Sequence, residues 1–271
     1  MHTDLAAVAI QPGGWLAPHV HAFEEALYVL EGELLLDLAG TMHRLVGGDY
    51  ALFPTGYRHA LGCSVSRTES VRLLSLASPQ RLPPDAGRKD TFFEAAQDLA
   101  AMDATARRPA FGDPTLRLVG HYDGTGPQLE TLRIKDAARG RASAGRDTAL
   151  VVYSGISVKM LVDHVFGADH VTMFTVDYEL GGAAQAHDHP FEEAYVFLAG
   201  EVEAEFDGQH YTFRPGDVAF AGVGSVHGFY NTGDERVRWI ETQAPQPPAR
   251  HSYRWVRDWE RFDTTRTEDP T

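Results

Sequence analysis

A single cysteine, Cys63, stands among 271 residues, which excludes an intramolecular disulfide framework and fits a reducing compartment. Basic residues are also scarce: 24 Lys and Arg face 38 Asp and Glu, for a net charge of −14. A phosphate polymer or an anionic membrane would be repelled at long range, so neither nucleic acid nor a membrane surface is an expected partner. The first residues, MHTDLAAVAIQPGG, lack a basic stretch ahead of their short apolar run. They read as neither signal peptide nor membrane span, and the expectation is a cytoplasmic protein.

Helical periodicity is missing from residues 5–77. The apolar residues there favour short strands, as in Ala26–Leu30, Glu33–Leu38 and Val71–Ala77, bounded by Gly, Pro or polar clusters. The rhythm returns in Val171–Leu180, Ala194–Leu198, Glu201–Phe206 and Asp217–Ala221, and Phe206-Asp207-Gly208-Gln209 reads as a hairpin turn. Many short strands at regular spacing predict an all-β sandwich or barrel. A length of 271 residues and a hydrophobic share of 43% leave room for two cores.

What the chain does contain is a duplication. His19, His21, Glu25 and His59 reappear as His187, His189, Glu193 and His227, each displaced by 168 positions (187 − 19 = 168). Gly13, Gly32, Gly48 and Gly56 recur at the same interval as Gly181, Gly200, Gly216 and Gly224. The expected organisation is therefore an N-terminal barrel in 1–78, a linker in 79–147 and a C-terminal barrel with its tail in 148–271. Thr91 and Glu94 form a capping box ahead of Phe92, Ala96, Leu99 and Met102, which predicts one linker helix of about twelve residues.

From 105 to 146 eight basic residues (Arg107, Arg108, Arg117, Arg133, Lys135, Arg139, Arg141, Arg146) outnumber Asp113, Asp123, Glu130 and Asp136. This stretch reads either as a solvated linker docked on acidic barrels or as a lid that brings an arginine to an anionic substrate. Little chain precedes Gly13, so the first barrel is expected to borrow a strand, from the other domain or from 112–134.

In a strand, residues 187, 189 and 193 share a parity and project to one side, as do 19, 21 and 25. His227 and His59 arrive from another strand after a glycine turn. Three imidazoles and one carboxylate suit Mn, Fe, Co, Ni, Cu or Zn and leave coordination positions open. The same parity argument turns Phe191, Tyr195, Phe197, Phe229 and Asn231 inward in the second barrel, where the first presents Phe23, Leu27, Val29, Leu61 and Cys63. Phe191, Tyr195, Phe197 and Phe229 are the expected substrate pocket, and the more aromatic C-terminal centre is the expected main active site.

These motifs resemble those of the cupin superfamily. The pattern G-x5-H-x-H-x3-E-x6-G is matched by Gly13, His19, His21, Glu25 and Gly32, and again by Gly181, His187, His189, Glu193 and Gly200. The pattern G-x5-P-x-G-x2-H-x3-N is matched by Gly48, Pro54, Gly56 and His59, and by Gly216, Gly224, His227 and Asn231. Cys63 stands where the family usually has Asn, and Gly222 where it usually has Pro.

The resemblance implies a bicupin: two tandem jelly-roll (double-stranded β-helix) barrels with a short helical linker and one divalent transition metal, Mn, Fe, Ni, Cu or Zn, in each. It implies a small-molecule substrate and allows a homodimer. A dioxygenase-like, quercetinase-like oxidoreductase is the leading expectation. The alternatives are a non-redox hydrolase, isomerase or lyase, as in ureidoglycine aminohydrolases, and a non-catalytic metal-binding bicupin. Leu16-Ala17-Pro18 before the first histidine pair departs from the oxalate decarboxylase pattern.

Overall fold

The computed structural model describes residues 2–78, 90–95, 98–111, 113, 115–122, 124, 153–246 and 254–255. Of the basic residues in 105–146, Arg133, Lys135, Arg139, Arg141 and Arg146 lie outside them. Two compact units emerge. The first comprises the described residues of Met1–Gly126, Met160–Met173 and Thr242–Gln246, and the second those of Pro127–Lys159, Phe174–Glu241 and Pro247–Thr271.

The first unit is built from β1 (Asp4–Ile10), β2 (Trp15–His21), β3 (Glu24–Glu31), β4 (Glu33–Leu38), β5 (Thr41–Val46), β6 (Asp49–Phe53), β7 (His59–Gly62), β8 (Val71–Ser78), β9 (Thr91–Phe93), one helix α1 (Leu99–Thr105) and β10 (Val119–His121). Two five-stranded sheets, ordered β1-β8-β3-β6-β10 and β5-β4-β7-β2-β9, form the two walls. Alternate residues of both walls, among them Leu27, Val29, Leu34, Leu36, Phe53, Leu61 and Leu73, fill a mostly aliphatic core.

The borrowed strand is β10, from the 112–134 region: it pairs with β6 through Val119↔Ala51 and His121↔Asp49. The helix is shorter than the capping box predicts and starts later. Asp98 caps it by accepting from the Ala100 N–H at 2.9 Å, and Met102 buries its apolar face against Leu35 and Ala60. Thr91, Phe92 and Phe93, β-branched and aromatic, extend the edge of β2 as a strand, so Thr91 caps nothing.

Part of the basic stretch docks on this unit. Arg108 grips the fully buried Asp49 with both terminal nitrogens, while His121 Nδ1 and the Val46 N–H meet the same carboxylate at 2.8 and 2.6 Å. Another buried carboxylate, Glu24, accepts the N–H groups of Asp169, His170 and Val171, which fastens the loop after β11 (Tyr153–Val162).

The remaining strands are β12 (Thr172–Asp188), β13 (Glu192–Ala199), β14 (Val202–Phe206), β15 (Gln209–Phe213), β16 (Val218–Ala221), β17 (His227–Tyr230), β18 (Val237–Ala244) and β19 (Arg254–Trp255). They form one sheet ordered β15-β14-β17-β12-β18-β13-β16, with β11 and β19 also paired to β12. The core of the second unit is aromatic, built from Phe174, Tyr178, Tyr195, Phe197, Phe229 and Trp239. The expected turn at Asp207-Gly208 joins β14 to β15 with both residues at positive φ.

Candidate metal centres

The duplication survives in the strand register. On β2, Trp15 pairs with Gly62 and Leu16 with Leu61, then the ladder shifts and His19 falls opposite His59 on β7. On β12, Ala183 pairs with Tyr230 and Ala184 with Phe229, and after the same shift His187 falls opposite His227 on β17. The bulge sits ahead of the first histidine, and the chain then bends between the second histidine and the glutamate, so Glu25 and Glu193 reach the histidines from the next strands, β3 and β13. The glycine turns close the arrangement. Gly56 and Gly224 both adopt φ 76°, and each donates its N–H back to the second motif histidine, to His21 O at 2.8 Å and His189 O at 3.0 Å.

Each centre gathers its donors. In the first, one atom from each of His19, His21, Glu25 and His59 lies within 4.8 Å of the others. Glu25 Oε2 stands 2.9 Å from His21 Nε2 and 3.5 Å from His59 Nε2. In the second, His187, His189 and His227 close within 4.8 Å. Glu193 Oε2 stands 2.9 Å from His189 Nε2 and 3.2 Å from His227 Nε2.

Backbone carbonyls decide which nitrogen faces the centre. His19 Nδ1 meets Ala17 O at 2.7 Å, His59 Nδ1 meets Tyr57 O at 3.0 Å, His187 Nδ1 meets Gln185 O at 2.8 Å, His189 Nδ1 meets Phe191 O at 2.9 Å, and His227 Nδ1 meets Ser225 O at 3.0 Å. A carbonyl only accepts, so each Nδ1 carries the proton and Nε2 of the neutral ring keeps its lone pair. Nε2 of His59 and of His227 is buried without a hydrogen-bond partner among the described residues. An unsatisfied buried acceptor is costly in a folded protein, and a divalent ion bound at that lone pair removes the cost. The donor sets therefore fit a metal.

The electrostatics agree. Burial, reinforced by the neighbouring His59, lowers the pKa of His19 to about 4, and burial beside His227 lowers that of His187 to about 4, so both rings are neutral at physiological pH. Burial alone would raise the Glu25 carboxyl, but the neighbouring His21 and His59 and the hydroxyl of Ser75 hold it well below the usual range. Glu193 is kept low in the same way by His189 and His227.

The surroundings differ. His21 and Glu25 are each 12% exposed, whereas His189 and Glu193 are 0% and 2% exposed. Beside the first centre, the exposed Phe93 lies with its ring 5.3 Å from that of His19. Of the four expected pocket aromatics, Phe191 stacks on His189 at 3.9 Å and Tyr195 bonds Glu193. Phe229 lies between the centre and the core, with its ring 6.1 Å from that of His227 and 5.1 Å from that of Trp239, and Phe197 packs against Trp239 at 5.6 Å. Asn231 Nδ2 is occupied by the carbonyls of Glu179 and Glu235, which ties down its loop. The sequence reading missed three residues: Ser75 and Thr91, which bond Glu25 and His21, and Phe93 at the rim. For Ser75 the signal was its polar side chain among the apolar residues of β8; Thr91 was hidden by its resemblance to a helix cap.

Similarity to known proteins follows the same outline. The Cupin domain model matches residues 6–76 and 174–242. Over 249 residues the chain is 25% identical to quercetin 2,3-dioxygenase of Bacillus subtilis, covering 83% of this chain and 69% of that one. A shorter match, 29% over 75 residues, covers 26% of this chain and 49% of the polyketide synthase CurC of Streptomyces cyaneus. Salicylate 1,2-dioxygenase from Pseudoaminobacter salicylatoxidans superposes with a TM-score of 0.67 at 12% identity, over 90% of this chain and 68% of that one. AerE from Microcystis aeruginosa superposes with a TM-score of 0.56 at 13% identity, over 90% and 88% of the two chains. With two matched copies that span more than half of its length, this chain belongs to the cupin domain family, as a metal-dependent bicupin.

Proposed function

We propose that this bicupin is a dioxygenase that inserts both atoms of dioxygen into a small, hydroxylated aromatic substrate, and that the first-barrel centre is where the substrate is admitted. The observation that carries the reading is the convergence of three imidazoles and one ionised carboxylate within 4.8 Å, on a face where His21 and Glu25 remain partly exposed. Quercetin and salicylate dioxygenases among its relatives support the reaction class, although that likeness is distant.

His19, His21, His59 and Glu25 would hold the ion in the first barrel, and His187, His189 and His227 with Glu193 nearby would hold it in the second. When bound, such an ion supplies Lewis acidity and, if it is Mn, Fe, Ni or Cu, electron exchange with dioxygen. The protein supplies the rest. Ser75 donates to Glu25 Oε1 at 2.5 Å and leaves Oε2 as the single oxygen turned toward the histidines. Thr91 on β9 fixes His21 through Nδ1 at 2.9 Å. Phe93, exposed beside His19, offers a flat apolar face on which an aromatic ring can rest.

The test is oxygen uptake by protein loaded separately with Mn, Fe, Ni, Cu and Zn, using quercetin, salicylate and gentisate as probes. One dioxygen consumed per substrate, only with redox-active ions and lost in Glu25→Gln, is the expected result. Turnover that continues without oxygen and with Zn would instead place the protein among hydrolases, isomerases or lyases.

A further inference from the structure

The six motif histidines are not steadied alike. Nδ1 of His19, His59, His187, His189 and His227 meets a backbone carbonyl two residues away along the chain, whereas Nδ1 of His21 meets the hydroxyl of Thr91 at 2.9 Å, 70 residues away. Five of these contacts are local, and the sixth joins the first centre to a separate strand. The corresponding ring of the second centre is His189 (21 + 168 = 189), whose Nδ1 meets the carbonyl of Phe191.

That separate strand, β9, runs along β2 with Thr91 opposite His21 and Phe93 opposite His19. Three consecutive residues therefore carry a hydroxyl bonded to one donor ring and an aromatic ring 5.3 Å from another. At its two ends the Ala22 N–H donates to Asp90 O and the Glu94 N–H to Pro18 O, both at 2.7 Å, and Glu94 pairs with Arg58 at 2.8 Å. The Glu94 side chain is 48% exposed, and an ion pair so placed is screened by water and holds a strand weakly. The contact between Thr91 and His21 is partly buried and ends on a ring of the candidate centre.

Resting on the reading that the first centre takes a divalent ion, we infer that Thr91 is a positioning residue that couples the ion to β9, so that loading the centre seats the strand that bears Phe93. The hydroxyl fixes the plane of the His21 ring. A ring that gives its Nε2 lone pair to a cation becomes a stronger donor at Nδ1, and Thr91 Oγ1 is there to accept. Outer partners of this kind change metal affinity by ~10- to 100-fold. Coupling between two events is reciprocal: whatever the seated strand adds to the affinity for the ion, the ion adds to the seating of the strand. The edge on which an aromatic substrate would rest is then best formed in the loaded protein, which sets the order of binding as ion first and substrate second.

The experiment is hydrogen exchange of residues 90–95 in the full-length protein, with and without Zn(II), together with Co(II) titration followed by visible absorption. Zn(II) slows the exchange of β9 by ~10-fold or more in the wild type and in His227→Ala, and leaves it unchanged in His59→Ala. Thr91→Val keeps the branched shape without the hydroxyl. It removes the slowing and weakens Co(II) uptake by the first centre ~10-fold, read in a His227→Ala background, while uptake by the second, read in a His59→Ala background, stays as it was. Thr91→Ser restores both effects. Slowing that survives in Thr91→Val or in His59→Ala, or a Co(II) affinity that is unchanged or equally reduced at the two centres, overturns the inference and leaves metal binding intact. Absence of Co(II) uptake by the first centre overturns the inference and the proposed function together. If Thr91→Val does not fold, as judged by circular dichroism, the contrast in exchange between wild type and His59→Ala decides alone.

Discussion

His187 lies directly across the sheet from His227, one step beyond a bulge in β12, in the same register that sets His19 against His59. Two rings brought side by side by a strand pair, 4.4 Å apart in His187 and His227, cannot be moved independently of the fold. Removing one leaves a pre-shaped gap and an intact partner.

Metal stoichiometry should therefore fall one centre at a time. His59→Ala is expected to lower the bound metal from two ions per chain to one, and His227→Ala to do the same at the other centre, measured by elemental analysis of metal-replete protein. An ion held at a hundred times its dissociation constant stabilises the folded state by about 2.7 kcal/mol. Each variant should lose that part of the metal-induced rise in melting temperature. If both ions persist in His59→Ala, the first-barrel ligand set is wrong.

Much of this was legible in the chain because duplication provides its own control. A lone His19 carries little information, but the repetition of four side chains and four glycines at one interval specifies a strand-borne donor set, and parity then points the set inward. What the pattern did not reveal came from residues outside the repeat. Thr91 and Glu94 satisfy a capping box locally, yet the open edge of β2 offered Thr91 a ladder and His21 offered its hydroxyl a partner, so tertiary pairing overrode the local signal. Phe197 and Phe229 share the inward parity, but parity does not tell a ring that reaches His227, as Phe229 does, from one that packs against Trp239, as Phe197 does.

Phe93 tests where the substrate sits. Its ring is 61% exposed and adjoins His19, so truncation removes a contact surface without touching a donor atom. Phe93→Ala is expected to raise KM for an aromatic substrate by about three- to tenfold, the worth of one aromatic contact, with metal content unchanged. A fall in metal content instead would assign Phe93 to the support of His19.

The clamp on Asp49 tests the linker. This carboxylate is fully buried and accepts from Arg108, His121 and the Val46 N–H. Arg108→Ala leaves it partly unsatisfied and should cost about 1–3 kcal/mol in denaturant unfolding. The double variant Asp49→Asn with Arg108→Ala should cost less than the sum of the single changes, since the charge that needs the arginine is gone. Additive losses would show that the two side chains do not act as a pair.

Acid should destabilise the metal-free protein well before it denatures an ordinary β-protein. His19 and His187 titrate near pH 4 in the folded chain because burial and a neighbouring imidazole disfavour their charged forms, whereas unfolding returns each to about 6.5. Between those values the unfolded state binds more protons, so stability increases with pH and falls as pH drops from 6.5 toward 4. A shift of that size is worth on the order of 3 kcal/mol for each ring. Glu25 and Glu193, whose folded pKa values are depressed, lose stability in the same direction as pH falls below their ordinary value, so the two carboxylates do not offset His19 and His187. Bound metal should steepen the dependence, because protons then compete for the same nitrogens. Urea unfolding of metal-free and metal-replete protein at pH 7, 6 and 5 measures this: a metal-free protein as stable at pH 5 as at pH 7 would mean that His19 and His187 are not held neutral by their surroundings.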